Sequence, residues 1–332
     1  MKKIFVALLC FTSFLIAQND VSSIASQTGA FSRMGFGARG KGMANALTSV
    51  TTGNMVSYYN PALSVFQEGN SFNTSYSFLS LDRSLNFLNF TKKFELGKKN
   101  PDGTLRDKPR SVAGISVGII NSGVGNFDER DNQGLKTGTL SPFENQFFLG
   151  FGMRVSEKVA IGVSAKFYYS KLYDEITSTS IGFDVGAVYI LNSNITVGAA
   201  IVDLNSKYKW DTTKLYEQEG TNTIEKFPLV KKIAVTYKFD NFPIIASAEI
   251  EAINSDTNFL RFGAEYNIFE NLFLRGGLDQ INISNSDFPI RPSIGFSYLY
   301  NYGSMIAGID YAFVTEPYTT QDQHIVGVNF NF

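Results

Sequence analysis

The chain has 332 residues, 44% apolar and only 18% charged, and its 29 Lys+Arg offset 30 Asp+Glu to leave a net charge of −1. That apolar content and near-neutral balance exclude a disordered chain. The lack of a basic excess removes the electrostatic footprint of a nucleic-acid partner. The chain carries 30 Phe, 16 Tyr and 29 Gly at a mean hydropathy of −0.04. Beyond the N-terminus no apolar run approaches the roughly 20 residues of a membrane-spanning helix, so apolar and polar residues must alternate rather than cluster.

Residues 1–17 read as a secretory signal peptide. Lys2 and Lys3 precede an apolar run from Ile4 to Ala17, and Gln18, Asn19 and Asp20 follow. A charged start, a short apolar stretch and a small residue before the cut define that layout. Cys10, the single cysteine, falls inside it, so thiol chemistry, disulfides and cysteine-held metals are excluded from the mature chain.

Residues 18–70 form a second unit with no strand period. From Thr28 it reads T-G-A-F-S-R-M-G-F-G-A-R-G-K-G-M, and later S-Y-Y-N-P-A-L. Gly35, Gly37 and Gly40 formally match G-x-G-x-x-G, but a dinucleotide site needs an acidic residue about 20 positions on, and none occurs between Asp20 and Glu68. Glycines instead permit positive φ and close backbone approach. Pro61 fixes its own φ and extends Asn60, whose amide can then bond neighbouring backbone.

The residues Gly29, Ala30, Phe31, Arg33, Gly35, Gly37, Ala38, Arg39, Gly42 and Met43, followed by Asn60, Pro61 and Ala62, resemble the N-terminal pattern of PorV/PorQ proteins. These form part of the wider FadL-like group of outer-membrane barrels. The match is dense over about 35 residues, whereas the rest of the chain is similar only in architecture. Leu63 departs from a common Gly, and Thr52, Gly53 and Asn54 replace an acidic pair. The resemblance implies a plug inside a 14-stranded barrel. It also implies a role in protein export or cargo attachment through the type IX secretion system, with secretion proteins or cargo as partners. The alternative within the wider group is a channel for hydrophobic small molecules.

Residues 71–332 alternate with period two, which places successive side chains on opposite faces of a strand. Fourteen segments of this kind are legible: Phe72–Leu81, Ser84–Phe94, Ser111–Asn121, Glu144–Val155, Lys158–Lys171, Thr177–Ile190, Asn194–Asp203, Pro228–Phe239, Phe242–Ala252, Asn258–Phe269, Asn271–Gln280, Ile290–Tyr300, Gly303–Val314 and Asp322–Phe332. Their length suits tilted membrane-spanning strands of about 9–11 residues better than the five or six usual in soluble sheets. Short turns, such as Ser156–Glu157 and Asp240–Asn241, alternate with long links, such as Ser122–Phe143 and Leu204–Phe227. An outer-membrane barrel has this asymmetry. The first hairpins invert it, with a tight Leu81–Arg83 turn and a long Leu96–Arg110 link. The last strand, with Val326, Val328, Phe330 and Phe332 on one face, is similar to the terminal strand of such barrels. The expected fold is thus all-β: a 14-stranded antiparallel transmembrane β-barrel with an N-terminal plug segment, in the bacterial outer membrane and contacting its lipid.

With aliphatic faces toward lipid, the lumen receives Lys166, Asp184, Lys232, Lys238, Glu249, Glu251, Arg261, Glu265, Arg275, Asp279, Arg291 and Asp310. Cross-strand pairing is expected of Glu249 or Glu251 with Arg261, and of Glu265 with Arg275. Either a solvated or plug-bracing network or a polar permeation path fits this interior. Gly114, Ser116 and Gly118 leave a sparse stripe where the wall could open laterally or where a plug could press. On the long loops, Tyr208, Trp210 and Tyr216 suit either interfacial anchoring or a protein contact. Asp128, Glu129, Arg130 and Asp131 lack calcium-loop spacing. Catalysis is not expected. His324, the one histidine, shares the apolar parity of the last strand, no G-x-S-x-G occurs, and neither a cofactor nor a metal is implied.

Overall fold

The computed structural model describes residues 27–54, 57–97, 109–125, 127–253, 257–283 and 289–332. The expected signal peptide lies outside them. The strands run in chain order as β1 (Asn70–Phe78), β2 (Arg83–Leu96), β3 (Ser111–Val124), β4 (Phe127–Arg130), β5 (Lys136–Leu140), β6 (Phe143–Arg154), β7 (Val159–Lys171), β8 (Thr177–Ile190) and β9 (Ile195–Leu204). They continue as β10 (Lys207–Asp211), β11 (Asn222–Lys226), β12 (Val230–Lys238), β13 (Ile244–Ile253), β14 (Thr257–Phe269), β15 (Leu272–Asn282), β16 (Arg291–Tyr302), β17 (Met305–Val314) and β18 (Gln323–Asn331).

Fourteen of these close a barrel, each neighbour antiparallel, with β1 sealed to β18 from Ser71↔Asn331 to Phe78↔His324. They coincide with the fourteen alternating segments. Closure leaves no strand edge and no unpaired backbone facing lipid. The period-two pattern sorts the side chains: on β14, Phe262, Ala264 and Tyr266 face out while Arg261, Gly263 and Glu265 are buried inside. Phe147, Leu149, Phe151, Val163, Ile181, Phe183 and Ile309 belong to the exposed outer belt. His324 also faces out, its Nδ1 2.7 Å from the Tyr311 hydroxyl, as expected of an interfacial ring.

Links at one end are short, as at 155–158 and 303–304. At the other they carry two hairpins, β4–β5 and β10–β11. Neither hairpin was expected from the period. The inverted first links are retained: β1 and β2 meet through residues 79–82, where Leu81 and Asp82 take positive φ. On β4 the carboxyl of Asp128 is held below its usual range by the hydrogen-bonded Lys136 ammonium and by Arg130. The cluster is therefore a braced hairpin, and no metal-binding group of residues occurs among the described residues. The Asp211 carboxyl is likewise lowered by bonds from Thr213.

Two β-bulges interrupt the regular ladder on the luminal side. Between Phe183↔Leu204 and Val185↔Ile201, Asp184 faces two residues, Val202 and Asp203. Between Leu260↔Ile281 and Phe262↔Leu278, Arg261 faces Asp279 and Gln280. Asp203 and Gln280 take positive φ there, and an extra residue of this kind re-aims its neighbours into the interior.

Residues 27–54 and 57–66 lie inside the barrel. A 3-10 turn at Ala30–Arg33, a short α1 at Ala38–Gly42 and a 3-10 helix at Pro61–Phe66 contact the inner faces of opposite walls. α1 packs on β15 to β18, and the Pro61–Phe66 helix packs on β2, β3 and β6 to β8.

Candidate functional site

The lumen is filled differently on its two sides around this segment. On the side of β2 to β7, toward the long-loop end, the filling is aromatic. Phe36 packs edge-on against Tyr58 and stacks on Phe87, which stacks on Phe148. Phe31 meets Tyr168, Tyr168 meets Phe227, and Phe227 meets Tyr208, which contacts Trp210. Ring centroids 4.5–7 Å apart in edge-to-face geometry add to the burial energy of each ring. The β10–β11 hairpin thus turns Tyr208 and Trp210 inward over the mouth, where both are buried. This corrects the expectation that these two rings serve as lipid anchors or an exposed protein contact. Tyr216 stays exposed. The Trp210 indole N–H and the Thr28 hydroxyl both donate to Glu225, tying hairpin and inner segment together.

On the wall from β12 to β17 the filling is ionic, and it joins residues far apart in sequence. Arg261 reaches Glu251 at 2.6 Å, Glu249 at 3.3 Å and Asp279 on the bulge. Lys232 approaches Glu251 at 3.1 Å. Arg275 bonds Glu265 at 2.6 Å, completing the second expected pair. On the opposite wall Lys166 sits between Asp184 at 2.8 Å and Asp203 at 3.1 Å. Asp203 also accepts from Tyr168 and Ser32. Its role was hidden in the sequence because the bulge, not the strand period, turns it inward. Lys238, expected in the lumen, is exposed near the end of β12, where the wall strand stops. Arg291 is half-buried and pairs with Glu316 on a loop.

The motif residues make the contacts between segment and wall. Arg39 grips Glu265 with Nε and Nη2, both at 2.8 Å, and is buried with it. Asn60 caps the Pro61 helix, its Oδ1 accepting from the Ala62 N–H at 3.0 Å. Its Nδ2 donates to Thr48 O at 2.9 Å and to the wall carbonyl of Ala187 at 3.1 Å. Pro61 and Ala62 press on Gly162 of β7, and Asn60 on Gly186 of β8. A Cβ at either glycine would collide with them. Gly42 fits against Gly295, where a Cβ on either would press on the other's Cα, and its carbonyl accepts from Ser293. Gly35 and Gly37 adopt positive φ at 79° and 75°, as the turn into α1 requires. Arg33 is the exception among the motif cations, bonding only carbonyls of residues 27–29. Sequence reasoning missed Asn45 and Thr48: the former donates to Asp279, and the latter's backbone N–H donates to Glu249. Both belong to a polar stretch without a distinguishing period.

The sparse stripe on β3 is filled rather than open. Gly114 abuts the Ser64 backbone and Gly118 the Phe148 ring, and β3 is paired without interruption to β2 and β6. A groove of about 610 Å³ on the lipid face, lined by Tyr76, Leu88, Ile119 and Val326, lies outside this intact wall. Of the two readings of this stripe, the lateral opening is corrected and the contact with the inner segment holds at Gly114, while Gly118 makes room for the Phe148 ring.

No family model matches the chain, and no curated protein does. Solved structures do resemble it. The toluene transporter TodX of Pseudomonas putida aligns with a TM-score of 0.56 at 14% identity, covering 89% of this chain and 96% of its own. The monoaromatic hydrocarbon channel CymD gives 0.59 at 14%, over 90% and 98%. A Pseudomonas aeruginosa FadL homologue gives 0.50 at 11%, over 89% and 98%. The fold is FadL-like, and the chain is a β-barrel of the bacterial outer membrane.

Proposed function

We propose that the protein is a gated outer-membrane channel for small hydrophobic molecules, in which residues 27–66 act as the plug. The observation that carries this reading is the aromatic column from Trp210 at the mouth through Tyr208, Phe227 and Tyr168 to Phe31. Such a column gives an apolar solute a continuous surface that excludes ions, and each ring can be replaced by a solute of like chemistry when the hairpin lifts. The FadL-like fold, shared with structures named as hydrocarbon channels, supports it. The mixed charges beside it then hold the plug rather than line a pore for ions, since each buried carboxylate faces a cation. Uptake of a hydrophobic fluorescent probe by cells with an intact outer membrane tests the reading. Expression should accelerate uptake, and a disulfide locking the β10–β11 hairpin to the plug should abolish the gain. Equal uptake with and without the protein would sink it.

A second reading, protein export or cargo attachment through the type IX secretion system, is favoured by one observation. The residues that resemble the PorV/PorQ pattern, Arg39, Gly42 and Asn60–Ala62 above all, are those that bind plug to wall. Affinity capture from detergent extracts separates the two: recovery of secretion proteins or cargo tails without probe uptake would favour export.

A further inference from the structure

The β10–β11 hairpin has an edge and a face that covering the mouth does not use. The bonds that bracket its ladder, Thr212 N–H to Thr221 O and Phe227 N–H to Ser206 O, fix the antiparallel alternation. The backbone of Thr223 and Glu225 therefore turns toward β10, and that of Asn222, Ile224 and Lys226 turns away. The far edge of β10 is closed, because the Lys207 and Lys209 N–H groups donate to the Ser180 and Ser178 hydroxyls of β8. The far edge of β11 pairs with no strand among the described residues, and every residue of β11 is exposed. Cross-strand partners share a face, so Thr223 and Glu225 turn inward with Trp210 and Tyr208, while Lys207, Lys209, Ile224 and Lys226 share the outer face. Lys207 and Lys226 stand opposite each other in a non-hydrogen-bonded rung, where side chains come closest and like charges repel. None of the three lysines has an ion-pair partner among the described residues. Of the hairpin's nearest acids, Asp211 bonds Thr213 toward the tip, and Glu225 on the inner face accepts from Trp210 and Thr28. Ile224, opposite Lys209, is 61% exposed.

We infer that the free edge of β11 is a docking site for an extended acidic peptide segment, which adds to the hairpin as a third strand. Main-chain bonds to Asn222, Ile224 and Lys226 hold it, and its alternate side chains supply the selectivity. Run antiparallel, it sets a carboxylate beside Lys226 and, two residues on, an apolar group beside Ile224. The carboxylate relieves the repulsion between Lys207 and Lys226. A second copy of the hairpin fits this edge poorly, since three lysines from each copy would meet on one sheet face. Lysine on an exposed edge keeps like strands apart and leaves the edge open to acidic ones.

The test uses the full-length protein in detergent micelles and the synthetic peptide T-E-T-V-T-S-T, with T-K-T-V-T-S-T as its basic counterpart, by isothermal titration at low salt. The acidic peptide should bind saturably and about fivefold more tightly than the basic one, the scale of an exposed ion pair. Lys226→Glu should reverse that order. Ile224→Pro removes an outward N–H without touching the bonds to β10, at an edge position where proline is tolerated, and should abolish binding. Methylating the peptide's valine nitrogen should abolish it too, which keeps the test decisive if Ile224→Pro fails to fold. No saturable binding, equal affinity for both peptides, or binding that survives the methylation would overturn the proposal. Self-association of the protein that Ile224→Pro removes, with no peptide bound, would overturn it in favour of a second copy. Peptide binding is read independently of probe uptake, so this site and the channel reading fail separately.

Discussion

The two halves of the lumen are filled by opposite chemistry. On the side of β2 to β7 the inner segment meets rings, held by burial and edge-to-face contacts that have no strict partner and can be exchanged one for another. On the wall from β12 to β17 it meets carboxylates and guanidiniums, where removing one member leaves the rest charged and buried. The aromatic half is therefore suited to open and reseal, and the ionic half to hold register. The wall serves both by shedding side chains: Gly162, Gly186, Gly198 and Gly263 stand where plug backbone passes too close for a Cβ.

If that contrast is right, its largest consequence is at Arg261. Replacement by Met leaves Asp279 without a cation and Glu249 and Glu251 with Lys232 alone, and the loss should be about 3–5 kcal/mol, read by urea titration of protein folded in detergent. Phe227→Ala should also be costly, about 3 kcal/mol as a buried ring lost, but its effect should stay local. Hydrogen exchange should accelerate across 207–226 while the wall strands keep their protection. A wall-wide loss of protection would erase the distinction between the halves. Asn60→Ala removes a cap and a plug-to-wall bond and should cost about 1–3 kcal/mol, read by the same titration. The smallest effect is on the β4–β5 hairpin. Asp128 is held below its usual range, so its contribution is present above the unfolded value near 3.8 and fades as pH falls through the lower folded one. Protection at 127–140, corrected for the intrinsic pH dependence of amide exchange, should be unchanged from pH 7 to pH 5 and lower below pH 3.

Much of the wall was legible because a membrane strand has one repeated task, and lipid on one side enforces the period at every position. All fourteen wall strands announce themselves that way, and the pairs Glu251–Arg261 and Glu265–Arg275 follow from register alone. The hairpins over the mouth do not, since they face neither lipid nor a long sheet. Asp203 owes its inward placement to a bulge, which breaks parity at a single residue and leaves no pattern. Gly114 and Gly118 were legible as vacancies, but what fills each was not: Ser64, 50 residues earlier in the chain, meets the first and the Phe148 ring the second. The motif from Gly29 to Ala62 pointed to a plug, yet its partners are scattered over half the barrel.

The account rests on the plug sealing the lumen through these seats. Conductance of the purified full-length protein in planar bilayers tests it, comparing wild type with Gly162→Val/Gly186→Val, whose side chains would push Asn60–Ala62 off the wall. The wild type should pass no measurable current, and the folded double variant should show ion-conducting openings. A wild type that conducts as freely as the variant, or a folded variant that stays sealed, would contradict it.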